Sequence, residues 1–259
     1  MNQLSKTGFS TIASTTPIVQ VNWNYLMQTR AEVLQRHDEM PAYLLMPEAV
    51  LLIDSELNVK RRLAMEIMYM TGCRVSEMLL LTPRHFVFSE NGANYVNIPT
   101  LKKRNDSKKI TKKRRRKFSD TDLLGTLPLR QVPISDPLFI ERVKSYIVTE
   151  QLSPSRRFFS CVRRTVNRWI EETVERYIDR NGPFQVHISP HTFRHSFAVN
   201  AVLHFTPARI LQSWLGHSSI SSTEVYMNVL FSDTFAFSER ISWRPYTLHE
   251  IELVKDKTF

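Results

Sequence analysis

The chain has 259 residues, of which 42% are hydrophobic and 10% aromatic, a composition typical of a folded protein rather than a disordered one. It has no run of about 18 apolar residues that would cross a membrane, too few cysteines for a disulfide framework, and no Gly-rich nucleotide-binding pattern. Residues 1–17 lack the apolar core of a secretory signal, so we expect a cytoplasmic protein. The formal net charge is +10.

All of the excess positive charge lies in residues 102–117, called here the basic segment, which holds eleven Lys or Arg residues and one acid, Asp106. Such a segment is either a solvated loop or a contact with a phosphate backbone, where counterion release makes the affinity salt-dependent. We expect the second. The candidate DNA-binding residues are Lys103, Arg104, Lys108, Lys109, Lys112, Lys113, Arg114, Arg115, Arg116 and Lys117.

The first third of the chain is predicted to be helical. Residues 1–40 are expected to form an N-terminal arm with a short helix near 23–35. Met46-Pro47-Glu48 predicts a helix start, because proline suits the first helical position and glutamate the positive end of the helix dipole. Apolar residues at helical spacing predict a helix over 60–71, and a second helix is predicted over 74–81.

A small antiparallel sheet is predicted next. Two apolar runs, 86–89 and 94–98, flank Asn91-Gly92, a strong signal for a hairpin. Residues 129–134 are predicted as a third strand, and Pro133 places the end of that strand at a sheet edge, because proline cannot donate to a neighbour. The basic segment is then the connection between the second and third strands.

The remainder is predicted to be helical, so the fold class is α+β and mainly α-helical. Helices are expected over 137–150 and 162–180. The second is predicted to bury one face, which consists of Val162, Val166, Trp169, Ile170, Val174 and Ile178.

Capping signals predict three further helices. Ser189-Pro190 and Thr206-Pro207 each combine a capping residue with proline at the first helical position, and Gly216 closes the second of these helices. Ser221 and Glu224 have the spacing of a capping box, which predicts the start of a helix that contains Tyr226.

Four segments place polar residues in otherwise apolar helical settings: TGCRVSE (71–77), HTFRH (191–195), LGH (215–217) and EVYM (224–227). Each by itself has an ordinary structural explanation, such as a surface arginine, a helix stop or a half-buried tyrosine. Together, their residue types and spacing are far more specific than any one of them.

As a set, these segments resemble the tyrosine recombinase, or phage integrase, family over about residues 45–232. The family pattern is an arginine in a T-G-x-R-x-S-E context, then H-x-x-R, L-G-H and a downstream tyrosine. PAYLLMPE (41–48) and HTFRHSF (191–197) look most similar to short plasmid-encoded resolvases of the family. The resemblance implies the tyrosine recombinase catalytic-domain fold over 41–232, and a tail, 233–259, that contacts a neighbouring protomer.

The resemblance implies that Tyr226 attacks a DNA phosphodiester, displaces the 5′-hydroxyl and leaves a 3′-phosphotyrosine. A phenol with a reference pKa of about 10 needs help to lose its proton at neutral pH. The transition state gains negative charge on the non-bridging oxygens, which two guanidiniums, those of Arg74 and Arg194, can bind with several donors each.

The remaining roles are also implied by the resemblance. His191 matches the histidine that assists proton transfer with the nucleophile, and His217 matches the donor to a non-bridging oxygen. Glu77 matches an acidic position that supports the arginine and the first histidine. Lys102 follows the second strand directly and is the candidate general acid for the leaving oxygen, with Lys103 as the alternative.

A metal site is the competing interpretation of His191 and His195, which have the H-x-x-x-H spacing of zinc proteases. Thr192 occupies the position where those enzymes carry their glutamate base, and neither cysteine is near in sequence. The family uses neither metal nor ATP, so we expect no cofactor. His195 is then interpreted as a packing residue or a DNA contact.

The implied function is site-specific recombination by a tetramer on two DNA sites, with resolution of plasmid or replicon multimers as the first hypothesis. Integration or inversion, type IB topoisomerase activity and a non-catalytic DNA-binding regulator are the alternatives. Most family members have a helical core-binding domain before the catalytic domain. Residues 1–40 are too few for one, so we expect a reduced clamp or an accessory DNA-binding protein.

Overall fold

The computed structural model describes residues 21–37, 39–90, 92–101 and 127–233. Within these ranges the chain forms helices and one small sheet, as the sequence predicts. The helices are α1 (Trp23–Arg36), α2 (Met46–Ser55), α3 (Val59–Thr71), α4 (Val75–Met78), α5 (Pro137–Thr149), α6 (Arg163–Asn181), α7 (Pro190–Leu203), α8 (Ala208–Leu215) and α9 (Ser221–Glu224). Short 3₁₀ helices span Pro83–His85 and Val225–Asp233.

The three strands are β1 (Phe86–Val87), β2 (Tyr95–Pro99) and β3 (Leu129–Pro133), and they pair antiparallel in the order β1-β2-β3. The predicted sheet is confirmed, and Pro133 lies on an edge strand. In β3 every second side chain is buried, so Arg130 and Val132 share the inner face. Arg130 pairs in register with Ile98 of β2.

The buried side chains form two clusters that meet at α7 and α8. One cluster involves α2, α3, the sheet, α5 and α6, and the other involves α1, α7, α8 and the C-terminal 3₁₀ helix. Phe197 and Trp214 pack against both clusters. Tyr226 belongs to the second cluster, which brings the C-terminal 3₁₀ helix against α7.

Gly72 sets the close approach of α3 and α7. It ends α3 with φ +61°, a left-handed conformation that glycine adopts without strain. A Cβ atom at this position would lie 2.4 Å from Cδ1 of Phe197 on α7. The turn therefore needs glycine both for its left-handed backbone and for the close approach of Phe197. It places Arg74 near α7.

The helix predicted over 74–81 is shorter than expected, because α4 spans only Val75–Met78. The amides of Leu80 and Leu81 instead bond the carbonyls three residues back, the tight geometry of a helix end. Pro83 then prevents continuation, since the residue before a proline is driven to extended backbone, as Thr82 is.

Two predicted helix starts are wrong. α8 begins at Ala208 with Pro207 as its N-cap, and Thr206 lies outside it. The capping box at Ser221 does not form, because Ile220, already in right-handed helical conformation, is the N-cap of α9. α9 ends at Glu224, so Tyr226 lies on a 3₁₀ helix rather than on the predicted α-helix.

The apolar face predicted for α6 is buried only in its middle. Val166, Trp169 and Ile170 are buried, whereas Val162 is 66% exposed and Ile178 is 36% exposed. The buried face includes Thr173 instead, whose hydroxyl lies within hydrogen-bond distance of two acceptors, the Trp169 carbonyl and the Glu56 carboxylate. The buried face of α6 therefore contains a polar residue, Thr173, whereas the hydrophobic pattern predicted that Val162 and Ile178 would be buried.

Candidate active site

Arg74 is fixed by a buried carboxylate. It is the N-cap of α4, where its amide donates to Oε2 of Glu77 at 2.9 Å and its Nη1 donates to Oε1 at 3.1 Å. The Glu77 side chain is fully buried, while 33% of the Arg74 side chain is exposed. Glu77 therefore orients a guanidinium whose outer edge stays open to solvent.

A second arginine, Arg130 of β3, holds the same carboxylate from the other side. Its Nη2 lies 2.7 Å from Oε2 of Glu77, its Nε donates to the Trp214 carbonyl at 2.7 Å, and its Nη1 donates to Oγ1 of Thr100 at 3.2 Å. Burial alone would raise the pKa of Glu77, but the hydrogen bond and positive charge of Arg130, with those of Arg74, lower it. Glu77 is therefore a carboxylate at neutral pH.

Arg194 on α7 is anchored by two helix C-termini. Its Nη1 donates to the Gly72 carbonyl at the end of α3, and its Nη2 donates to the Leu215 carbonyl at the end of α8. Such terminal carbonyls lack intrahelical partners and carry partial negative charge, which favours a cation. Burial, followed by the charge of Arg74, lowers the pKa of Arg194 to about 10, so the buried guanidinium stays charged at neutral pH.

His217 follows the left-handed Gly216 that closes α8. Its Nδ1 shares a hydrogen bond of 2.9 Å with Oγ1 of Thr223. Burial, with the charges of Arg194 and Arg74, lowers the pKa of His217 to about 4. The ring is therefore neutral at neutral pH and can present Nε2–H as a donor when Nδ1 accepts from the threonine.

Tyr226 is buried between His195 and His217 and is only 2% exposed. Its hydroxyl shares a hydrogen bond of 2.7 Å with Nδ1 of His195, and its ring stacks on His217 with centroids 6.5 Å apart and planes at 13°. Burial raises the pKa of Tyr226, while the positive charges of Arg194 and Arg74 oppose that rise. The phenol thus sits in the electrostatic field of both arginines.

His191 is exposed at the start of α7, one turn before His195, and their ring centroids are 6.2 Å apart. Burial of part of the ring, followed by the charges of Arg194, Arg74 and Arg163, lowers the pKa of His191. It therefore stands at the rim of the same cationic cluster, on the solvent side.

The structure thus gathers six of the seven catalytic and supporting residues predicted from sequence into one cluster: Arg74, Glu77, His191, Arg194, His217 and Tyr226. Lys102 and the other ten bases of the basic segment lie outside the described residues. Thr100 of the connection after β2 bonds Arg130, so this connection leaves the sheet beside the cluster.

Sequence reasoning did not find two residues of the cluster. Arg130 had a usable signal, because strand alternation puts it on the same face as Val132 and so predicts a buried charge that needs a partner. His195, predicted to be a packing residue or a DNA contact, bonds Tyr226, and no local pattern predicts this tertiary contact between residues 31 positions apart.

In the described ranges, no group of three or more His, Cys, Asp or Glu side chains is placed to hold a metal ion. No helix of that part of the chain is both long enough and apolar enough to span a membrane.

Comparison with known proteins identifies the family of the chain. The profile of the phage integrase family matches residues 36–233. The chain belongs to the phage integrase family. A resolvase from Escherichia coli is 33% identical over 211 residues, which cover 77% of this chain and 78% of the relative. The tyrosine recombinase XerD of Shewanella oneidensis is 24% identical over 177 residues, which cover 68% of this chain and 52% of that protein.

Solved structures confirm the predicted catalytic-domain fold. XerH site-specific recombinase bound to its difH substrate superposes with a TM-score of 0.54 at 22% identity, over 78% of this chain and 53% of that one. XerA recombinase superposes with a TM-score of 0.54 at 19% identity, over 79% and 67%. The chain thus spans about half the length of the XerH chain. Family and relatives support tyrosine site-specific recombination as its reaction.

Proposed function

We propose that this chain cuts and rejoins DNA at a specific site through a covalent phosphotyrosine at Tyr226. The observation that carries the proposal is one buried phenol that bonds His195, stacks on His217 and lies in the positive field of Arg74 and Arg194. A phosphodiester bound by both arginines would bring its negative charge to the cluster that contains Tyr226.

The donors of the cluster suit the transition state of such a transfer. Arg194 uses two of its five N–H groups on backbone carbonyls, and Arg74 uses one on Glu77, which leaves donors on both for non-bridging oxygens. His217 supplies a further neutral donor through Nε2. Because these donors are fixed by the protein before substrate arrives, they stabilise the developing charge at little reorganisation cost.

The remaining roles, proton transfer and DNA binding, are proposed for His191, for Lys102 or Lys103, and for the basic segment. We assign His191 a part in proton transfer at the nucleophile, as the family pattern suggests, and Lys102, or alternatively Lys103, the protonation of the leaving 5′-oxygen. The basic segment would hold the phosphate backbone beside the cleaved bond, since its eleven bases carry all of the net charge of the chain.

The biological task that we propose is resolution of plasmid or replicon multimers, because two relatives from Escherichia coli are named resolvases. The working form would be a tetramer on two double-stranded DNA sites, acting in the cytoplasm. The tail, residues 233–259, would contact the neighbouring protomer. Residues 1–40 or an accessory DNA-binding protein would enclose the far face of the DNA.

The test is covalent trapping on a nicked suicide substrate that carries the recombination site. Wild-type protein should form a DNA adduct, and Tyr226→Phe should bind the same DNA without forming one. Tyr177→Phe is the matched control, because it removes a hydroxyl from a ring that stacks on Phe184 outside the cluster. An adduct formed by Tyr226→Phe would refute the assignment of the nucleophile.

A two-site substrate then separates the related activities. Exchange of strands between two sites supports recombination, and the arrangement of the sites in the products distinguishes resolution from integration or inversion. Relaxation of supercoils by a monomer without two-site products would instead indicate a topoisomerase. Binding without any cleavage by the wild-type protein would indicate a regulator.

A further inference from the structure

The hydrogen bond between His195 and Tyr226 joins two elements that are distant in sequence. Nδ1 of His195 on α7 lies 2.7 Å from the hydroxyl of Tyr226 on the C-terminal 3₁₀ helix, and the ring centroids are 5.8 Å apart. His191, one turn earlier on α7, is exposed, whereas Tyr226 is 2% exposed. The histidine in contact with the reacting oxygen is therefore His195.

The protonation states of the pair allow the phenol to donate this bond. Burial, assisted by the neighbouring His191 and Arg194, lowers the pKa of His195 to about 4. Burial raises the pKa of Tyr226. At neutral pH the imidazole is neutral and the phenol protonated, so in the tautomer that carries its proton on Nε2 the hydroxyl donates and Nδ1 accepts. The titratable groups around His195 are His191 and Arg194 on α7, His217 after α8, and Tyr226 itself.

We propose that His195 is the direct proton acceptor for Tyr226 when the tyrosine attacks DNA, an inference that rests on the proposed function. His191, whose ring stacks on that of His195, would then take part in the proton transfer only through His195. The O–H bond of Tyr226 breaks, Nδ1–H of His195 forms, and the phenolate oxygen bonds to phosphorus. The P–O5′ bond breaks with its electron pair, and the leaving oxygen takes a proton from a separate donor. On rejoining, the imidazolium returns its proton to the departing phenolate.

The surrounding charge makes this transfer depend on bound substrate. Without DNA, the positive charge of Arg194 disfavours a second cation at His195. A phosphate seated on Arg74 and Arg194 brings negative charge to the same place, which raises the pKa of His195 and lowers the cost of forming the imidazolium. Tyr226 would thus keep its proton until a phosphate occupies the site.

Two substitutions separate proton transfer from positioning. His195→Asn places an amide oxygen near the position of Nδ1, so it can accept the hydrogen bond of the phenol but cannot take the proton. His195→Phe keeps a ring and removes the acceptor. His204→Asn is the matched control, because His204 lies exposed just after α7, where its Nδ1 bonds the Asn200 carbonyl.

The assay is single-turnover formation of the covalent complex on a nicked substrate with sulfur in place of the bridging 5′-oxygen. Sulfur leaves without needing a proton, so the rate reports on deprotonation of Tyr226. For wild-type protein and His204→Asn, we expect a rate that is flat from about pH 6 to about pH 9, because a base with a low pKa is neutral throughout that range.

Both His195 variants should be slower at neutral pH by about 10²-fold or more, and their rates should rise about tenfold per pH unit, because the phenol then loses its proton to solvent. Recovery of the wild-type rate by His195→Asn would show that the contact only positions the phenol and would overturn the proposal. Slow variants with a flat pH profile would overturn it as well.

Folding and the proposed function are checked in the same experiment. Thermal unfolding of each variant shows whether the fold is kept, and if His195→Phe fails to fold, the rate and pH slope of His195→Asn decide the question. The proposed function fails only if wild-type protein forms no adduct, or if Tyr226→Phe still forms one. A wild-type adduct with unaffected His195 variants would reject this inference alone.

Discussion

Replacing Arg130 with methionine tests whether the sheet supports the candidate active site. Arg130 is the inner-face residue of β3 that pairs with the fully buried Glu77. Methionine keeps much of the side-chain length and removes the charge. The substitution leaves Oε2 of Glu77 without its 2.7 Å partner and also removes the donors to the Trp214 and Thr100 oxygens.

The expected loss of stability follows from these contacts. Removing one partner of a buried ion pair costs about 3–5 kcal/mol. Arg74 still gives Glu77 two hydrogen bonds, so we expect the lower end, about 3 kcal/mol. At roughly 2–4 °C per kcal/mol for a domain of this size, the midpoint of thermal unfolding should fall by about 6–12 °C.

Urea unfolding of DNA-free protein measures this loss, with Arg36→Ala as the control. Arg36 pairs with Glu32 on the exposed face of α1, where both side chains are mostly in solvent, so its loss should cost less than about 0.5 kcal/mol. A loss below about 1 kcal/mol for Arg130→Met would refute the reasoning, because it would mean that Glu77 tolerates burial without Arg130.

The pH dependence of the loss has a defined sign. The pKa of Glu77 is lowered in the folded protein, so its ionised form contributes stability above its ordinary pKa, and that stability is lost as the pH falls through the folded value. Without Arg130, burial is no longer opposed by its charge, and Glu77 binds a proton at higher pH. The difference in stability between wild type and variant should therefore narrow as the pH falls from the value at which Glu77 of the folded variant binds its proton to the lower value at which Glu77 of the folded wild type does.

Two further predictions concern the α3 turn and the basic segment. Gly72→Ala should cost more than about 2 kcal/mol, because it adds a clash with Phe197 to left-handed strain; Gly92→Ala, with φ +81° and open space around it, should cost less in the same unfolding assay because no clash is added. Replacing residues 108–117 with a short neutral turn should weaken DNA binding and flatten the dependence of log Kd on log salt; an unchanged slope would mean that these residues do not contact phosphates.

Much of the architecture could be read from the sequence, because its signals are local. Asn-Gly between apolar runs predicted the β1–β2 hairpin, and proline near the starts of α2 and α7 marked where those helices begin. Local signals failed where packing decided the outcome. Ser221 has the spacing of a capping box, yet Ile220 is already helical, and the chain continues into a 3₁₀ helix that packs Tyr226 against α7.

The sequence by itself determined the family of the chain and the residue types of its candidate site, because the motif residues and their spacing are properties of the linear sequence. Only the tertiary structure decided which groups touch. Arg130 holds Glu77 across 53 residues, and His195 reaches the Tyr226 hydroxyl across 31. Such pairings depend on which elements pack together and on how deeply they bury each group. Burial and the neighbouring charges also set the protonation states on which the chemistry depends.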